Sequence, residues 1–285
     1  VTKACLGDPV VAEAMLKGGA SIIGDSRIQN LRRLKAAGIE APLMMLRLPM
    51  MSEAAELVGL ADISLISDLS VMGALGRAAE AKGRIHEVVI MVDTGDGREG
   101  VAPGDVYNTL AEAARLPGIS IRGIGTNVAC LAGTAPTPEN MELLCGLAAN
   151  AAATPGMHDM IVSGGNSSAW DLVAGGTAPR GINQLRLGEA ILLGRETAGG
   201  RLIDSLNHDA FIIKAEVIES NPSRGSHHIV ALGRQDIDAG ELQPVDPAWT
   251  IVKASSDHLV LTGDPVKPGT AVSFIPGYES LLRAM

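Results

Sequence analysis

Short apolar runs recur along the first two hundred positions. Each is followed by a polar residue and then by a stretch with helical spacing. The runs are Ser21–Gly24, Leu43–Leu48, Ile63–Ser67, Glu87–Val92, Ile119–Gly125, Met160–Ser163 and Asn183–Gly188, and Val1–Thr2 reads as the end of an eighth. Between them, residues 8–19, 27–38, 51–61, 69–83, 105–118, 139–153 and 167–176 carry apolar positions at helical period. Several of these stretches end in Gly, as helix C-caps do, and Asp, Ser or Asn stands at or near several starts. Strands alternating with helices predict βαβ units and a parallel sheet. Eight units within about 200 residues predict an α/β architecture, a closed (β/α)8 TIM barrel; a doubly wound open sheet is the alternative. After about Asn207 the texture changes. Residues 210–220, 227–234, 249–256, 258–263 and 270–277 are short β-branched runs separated by Gly, Pro and Asp. The expected organisation is a barrel over residues 1–207 and a smaller all-β C-terminal domain over residues 208–285.

The chain starts in mid-pattern at Val1, which predicts residues missing before it. An abrupt change between Glu219 and His228 predicts a loop missing near Ser223. With 2% aromatic residues, the core must be built from Ala, Val, Ile, Leu and Met, which suits a parallel sheet covered by helices. A net charge of −9 with no basic stripe argues against nucleic acid as partner. An anionic ligand would need local help from Arg or from backbone N–H groups. Cys5, Cys130 and Cys145 are odd in number and lack CxxC spacing, which suggests a reducing compartment and no metal cage. No apolar run reaches 18 residues and no signal peptide is visible, so a cytoplasmic protein without membrane partners is expected.

In a barrel the C-terminal strand ends form the reactive face. In order they offer Lys3, Asp25–Ser26, Arg47, Ser67–Asp68, Asp93 with Arg98, Asn127, Ser163 to Ser168, and Arg186 with Gly188. Lysine after a strand is ordinarily solvated, so Lys3 gains meaning only from context. Arginine inside an apolar run, as at Arg47 and Arg186, demands a partner. The stretch 163–172 (SGGNSSAWDL) holds two glycines, Ser and Asn donors and a helix start, which together suit a phosphate. An ordinary helix N-cap after a turn is the plain alternative. Gly188, on the next run, could turn further backbone N–H groups toward the same anion. A phosphate site facing a strand-one lysine points to pyridoxal 5'-phosphate held as a Schiff base. Its pyridine nitrogen would face Arg186, which keeps its own proton and leaves the ring nitrogen unprotonated. That favours brief proton removal and return, as in racemisation.

The stretches VTKACLGD, GDSRIQNLRRLK, MVDTGDGREG, GIGTNVAC, SGGNSS, LRLGEAILLGRETA and ASSDHL span nearly the whole chain. They resemble the alanine/ornithine racemase family of fold-type III PLP enzymes, nearest to its ornithine racemases. The resemblance implies a PLP-binding barrel with a C-terminal β domain, working as a homodimer in which the partner's β domain closes each active site. It implies that Lys3 is the Schiff-base lysine and one of two catalytic bases. Arg98 would lie near the cofactor hydroxyl and the substrate carboxylate, and Asn127 would flank the ring. Ser167 and the backbone of Gly188 and Glu189 match phosphate ligands, with Ser163 and Asn166 shaping the turn and Arg186 at the pyridine nitrogen.

The chain also departs from alanine racemases. No Tyr-Gly-His stretch follows the lysine, and Met91 replaces a second lysine. The opposite catalytic tyrosine has no clear counterpart; Arg234 or Gln235 holds its place. A phosphate-binding tyrosine would fall beyond Met285, and Tyr278 matches a packing position. Asp236, Asp257 and His258 stand as candidates for the second base. The expected activity is therefore PLP-dependent racemisation of a small amino acid, ornithine or a similar basic one ahead of alanine. The alternatives are a PLP carrier with little catalysis, or a D-threonine-aldolase-like lyase whose metal would need C-terminal His, Asp or Cys ligands. Asp257 and His258, side by side, are poorly spaced for joint chelation. The role of Arg47 stays open.

Overall fold

The computed structural model describes residues 1–131, 133, 135–152, 157, 159–221 and 226–285. The break expected near Ser223 lies outside the described residues. Two compact units divide the chain: Val1–Gly188 with Glu196–Arg201, and Glu189–Arg195 with Leu202–Met285.

The first unit is the (β/α)8 barrel. Six parallel strands, β1 (Ile23–Asp25), β2 (Leu43–Met45), β3 (Ile63–Ile66), β4 (His86–Met91), β5 (Ile119–Gly125) and β6 (Ile161–Ser163), pair in sequence order. A parallel bridge from Ser163 to Gln184 adds the seventh rung. The ring then closes through the chain's first residues. The Val1 nitrogen donates to the Leu187 carbonyl at 2.7 Å, and the Thr2 N–H donates to the Gly24 carbonyl at 3.0 Å. All eight expected runs are rungs of this ring, although Asn183–Gly188 is held by a bridge and loop hydrogen bonds and Val1–Thr2 by hydrogen bonds alone, rather than as regular strands. Met44, Ile63, Leu65, Val89, Met91 and Ile161, drawn from four strands, pack into one cluster. Aliphatic and Met side chains fill it without aromatics, as the composition requires.

Helices α1 (Pro9–Lys17), α2 (Ile28–Ala36), α3 (Ala54–Leu60), α4 (Leu69–Glu80), α5 (Val106–Ala113), α6 (Pro138–Ala151) and α7 (Trp170–Ala174) fill the connections. Their starts are chemically marked. The Asp8 carboxylate accepts from the N–H groups of Val10 and Val11, and Asp68 does the same for Ser70 and Val71. Thr137 and Asn140 form a reciprocal capping box with Pro138 behind it.

The second unit holds α8 (Glu189–Leu193) and six antiparallel strands: β7 (Ile213–Asn221), β8 (His227–Val230), β9 (Leu242–Pro244), β10 (Thr250–Ala254), β11 (Leu259–Thr262) and β12 (Ala271–Pro276). The order is β10-β11-β8-β7-β12-β9. Alternating inward positions, among them Val217, Val230, Leu261, Val272 and Phe274, make its core. Two elements differ from the all-β expectation. The helix α9 (Tyr278–Ala284) ends the unit, and α8 joins it from before the β runs. Both are too short to show a helical period in sequence. No helix among the described residues is long and apolar enough to cross a membrane.

Candidate active site

The rungs meet at one end of the barrel through a connected set of polar contacts. Thr2 is fully buried, and its hydroxyl donates to Asp25 Oδ2 at 2.8 Å at the end of β1. Asp25 Oδ1 accepts from the Arg27 N–H at 2.9 Å and from Asn30 Nδ2 at 3.0 Å. Burial raises the Asp25 pKa, and these three neutral donors pull against that rise. The Thr2 carbonyl accepts from the N–H groups of Cys5 and Gly7, each at 3.1 Å, so the turn Lys3–Cys5 is pinned on both sides. Lys3 is half-buried at the start of this turn.

Across the closing seam lies the glycine turn. Gly165 sits at φ 112°, a conformation that excludes most side chains, and a Cβ there would meet only the Thr126 carbonyl, at 4.0 Å. The Asn166 Oδ1 accepts from the Ser168 N–H at 2.8 Å and caps the following turn. Ser167 is buried, and its Oγ accepts from the Gly188 N–H at 3.3 Å. Gly188 allows a close approach: a Cβ there would stand a tight 3.3 Å from the Val1 Cβ. The Ser167–Gly188 cradle and the segment that carries Lys3 therefore touch through Val1. Glu189 follows in the chain as the first residue of α8, in the second unit.

Arg186 is nine-tenths buried. Its Nη1 donates to Ser163 Oγ, and its Nη2 donates to the Thr126 carbonyl at 2.7 Å and weakly to Asn127 Oδ1 at 3.5 Å. Its Nε has no acceptor among the described residues. Burial pushes its pKa down to about 10, so it remains a cation at neutral pH. Two of the expected site residues, Ser163 and Asn127, thus act on a third. Thr126, which has no such role in the sequence reading, supplies the main acceptor. It is a backbone carbonyl, which leaves no signature in a sequence.

Arg98 lies on the loop between β4 and α5. The Asp93 carboxylate organises that loop by accepting from the N–H groups of Gly95, Asp96 and Gly97. The Arg98 Nε and Nη2 both donate to the carboxylate of Glu99, and Asp96 stands 3.9 Å away. The Glu99 hydrogen bonds hold the Arg98 pKa above its ordinary value. Cys130 links the two asparagines: its Sγ accepts from Asn127 Nδ2 at 2.9 Å and Asn166 Nδ2 at 3.3 Å. The preceding residue, Ala129, is left-handed at φ 77°. Arg47 finds a partner six residues on, donating from Nη2 to Glu53 at 3.0 Å.

The candidates for a second base lie in the second unit. Asp236 accepts from the Gly233 N–H and Asp257 from Gln235 Nε2, while His258 lies in a turn with Ser255. Among the described residues, no group of three His, Cys, Asp or Glu could hold a metal ion.

The residues fit pyridoxal phosphate in chemistry: a hydroxyl and a glycine N–H for an anion, a buried permanent cation with an unspent N–H for a ring nitrogen, and an amine on the adjoining segment. The family model for the alanine racemase N-terminal domain matches residues 1–196. The chain belongs to that family, an enzyme family of PLP-dependent racemases. It is 42% identical to a lysine racemase of Thermotoga maritima over 312 residues, covering all of this chain and 87% of that protein. It is 38% identical to an ornithine racemase of Acetoanaerobium sticklandii, covering 91% and 81%. In fold it is similar to an alanine racemase of Clostridium difficile 630, with TM-score 0.79 at 17% identity, covering 99% of this chain and 84% of that one. A D-threonine aldolase of Filomicrobium marinum shares the fold at TM-score 0.77 and 19% identity, covering 98% and 80%.

Proposed function

We propose that the protein is a PLP-dependent racemase of a basic amino acid, ornithine or lysine ahead of alanine. It would act in the cytoplasm as a homodimer, each chain a barrel over residues 1–207 and a β domain over residues 208–285, with each site closed by the partner's β domain. What carries this reading is the seam at Val1, where the Lys3 segment meets the Ser167–Gly188 cradle beside the buried Arg186.

When bound, the cofactor would make the α-proton of an attached amino acid acidic. Lys3 would hold the cofactor and then accept or return that proton on one face of Cα. Ser167 and the N–H groups of Gly188 and Glu189 would bind the phosphate, with Asn166 fixing the turn. Arg186 keeps its proton at neutral pH, so it can only donate to the ring nitrogen. Ser163 and the Thr126 carbonyl aim it, and Asn127 flanks the ring. Arg98 would orient the substrate carboxylate.

The test combines absorbance and isotope exchange. Holoenzyme should show a visible band that borohydride removes while fixing the cofactor to Lys3; Lys3→Ala should bind no cofactor covalently. In D2O, L- and D-ornithine should interconvert with deuterium entering at Cα. L-Ornithine that stays optically pure at saturating PLP would refute the racemase reading.

A further inference from the structure

Most carboxylates at the C-terminal rim are tied to the backbone. Asp25 accepts from the Arg27 N–H, Asp68 from Ser70 and Val71, Asp93 from three consecutive loop N–H groups, and Asp96 from Leu131. Those bonds hold the local chain in shape and cannot be exchanged without rebuilding it. Glu99 is different. Both of its oxygens rest on one exposed side chain, the guanidinium of Arg98. The Glu99 side chain is 16% exposed and that of Arg98 is 42% exposed, so the carboxylate is the more sheltered partner. Asp96, 3.9 Å from the Arg98 Nε, accepts from the Leu131 N–H at 2.8 Å, and the preceding Cys130 accepts from Asn127, which also meets Arg186, so these contacts link the pair to the proposed ring-nitrogen site.

We propose that Glu99 is the specificity-determining residue, a carboxylate that yields the Arg98 guanidinium to the substrate carboxylate and then pairs with the substrate's side-chain ammonium. This rests on the reading of Arg98 given above. Replacing one carboxylate by another on the same guanidinium leaves the charge balance unchanged. The displaced Glu99 is then a sheltered anion without its cation, which is costly. An ornithine or lysine side chain brings a replacement cation; an alanine methyl does not. Selection would therefore work chiefly by penalising the neutral substrate. Among the described residues, Glu53, on Arg47 at 3.0 Å, is a second carboxylate on an arginine near the rim. That pair lies on the connection after β2 rather than on the β4–α5 loop, so Glu53→Gln serves as the control.

The experiment compares kcat/KM for L-ornithine and L-alanine in holoenzyme of wild type, Glu99→Gln and Glu53→Gln, with thermal melts to establish folding. Glu99→Gln should lower the ornithine-to-alanine ratio by roughly 10- to 100-fold, and Glu53→Gln should leave it within about threefold. Calorimetry with acetate probes the guanidinium without turnover. Acetate should bind Glu99→Gln at least about tenfold more tightly than wild type, because nothing has to be displaced. An unchanged ratio in Glu99→Gln, a ratio that instead collapses in Glu53→Gln, or acetate bound no more tightly would each overturn the proposal. If wild type turns over neither amino acid, the racemase reading itself fails, and the acetate comparison still decides whether Glu99 gives up the guanidinium.

Discussion

His86 opens β4 at the opposite end of the strand from the proposed site, and it supplies a pH signature of the barrel. It is 2% exposed, and its Nε2 lies 2.8 Å from the hydroxyl of Ser64, itself fully buried on β3. Burial pulls its pKa from 6.5 to about 4; the Asp62 carboxylate pushes up against this and Arg84 pushes down. The folded chain therefore binds this proton less readily than the unfolded chain. Stability from the neutral ring is fully present above pH 6.5 and is lost as pH falls toward 4. The gap is worth about 3 kcal/mol, with a steepest slope of about 1.4 kcal/mol per pH unit. The assay is urea unfolding of wild type and His86→Gln at steps from pH 7.5 to 4. Protonation of carboxylates elsewhere affects both proteins alike and cancels in the difference. Whatever the variant costs at pH 7.5, the wild-type advantage should shrink by about 3 kcal/mol at pH 4. A difference that stays flat across this range would refute a buried neutral imidazole.

Ser163→Ala removes the Nη1 acceptor of Arg186 and should weaken stability by about 2 kcal/mol, with poorer PLP affinity measured by absorbance titration. Gly123→Ala should block folding of the barrel in circular dichroism, because a Cβ on β5 would stand 2.0 Å from the Ile161 carbonyl. Ala129→Gly relieves a left-handed alanine and should raise the melting free energy by about 1 kcal/mol; a loss of stability would deny that conformation.

The barrel was readable because its signals are periodic. Each apolar run overlaps one rung of the ring, and Asp8, Asp68 and Thr137 mark helix starts by their side-chain chemistry. The weakest rung, 184–187, was visible as an apolar run although it makes only a bridge. In the second unit, Leu242–Pro244 escaped notice because three residues ending in Pro carry no alternation, and α9 because two turns show no period. At the proposed site, residue types are what single out Lys3, Arg186 and the glycine turn. What stayed hidden were contacts made by backbone or by distant partners. The Thr126 carbonyl has no residue signature. Asp25 stood out only as a strand-end polar residue, yet it is buried against Thr2. Glu99 carries no signal of its own inside the Arg98 motif, because its proposed role depends on which partner it holds.

The hydrogen bond from the Val1 nitrogen to the Leu187 carbonyl joins positions 186 residues apart. Sealing the cylinder and bringing the segment of the proposed Schiff-base lysine to the proposed anion cradle are thus one event. A nascent or partly melted chain would hold both halves of the cofactor grip and still be unable to use them together. Vitamin B6 retention by this enzyme would then report topology as directly as any structural probe, vanishing when the last stave falls away rather than fading gradually.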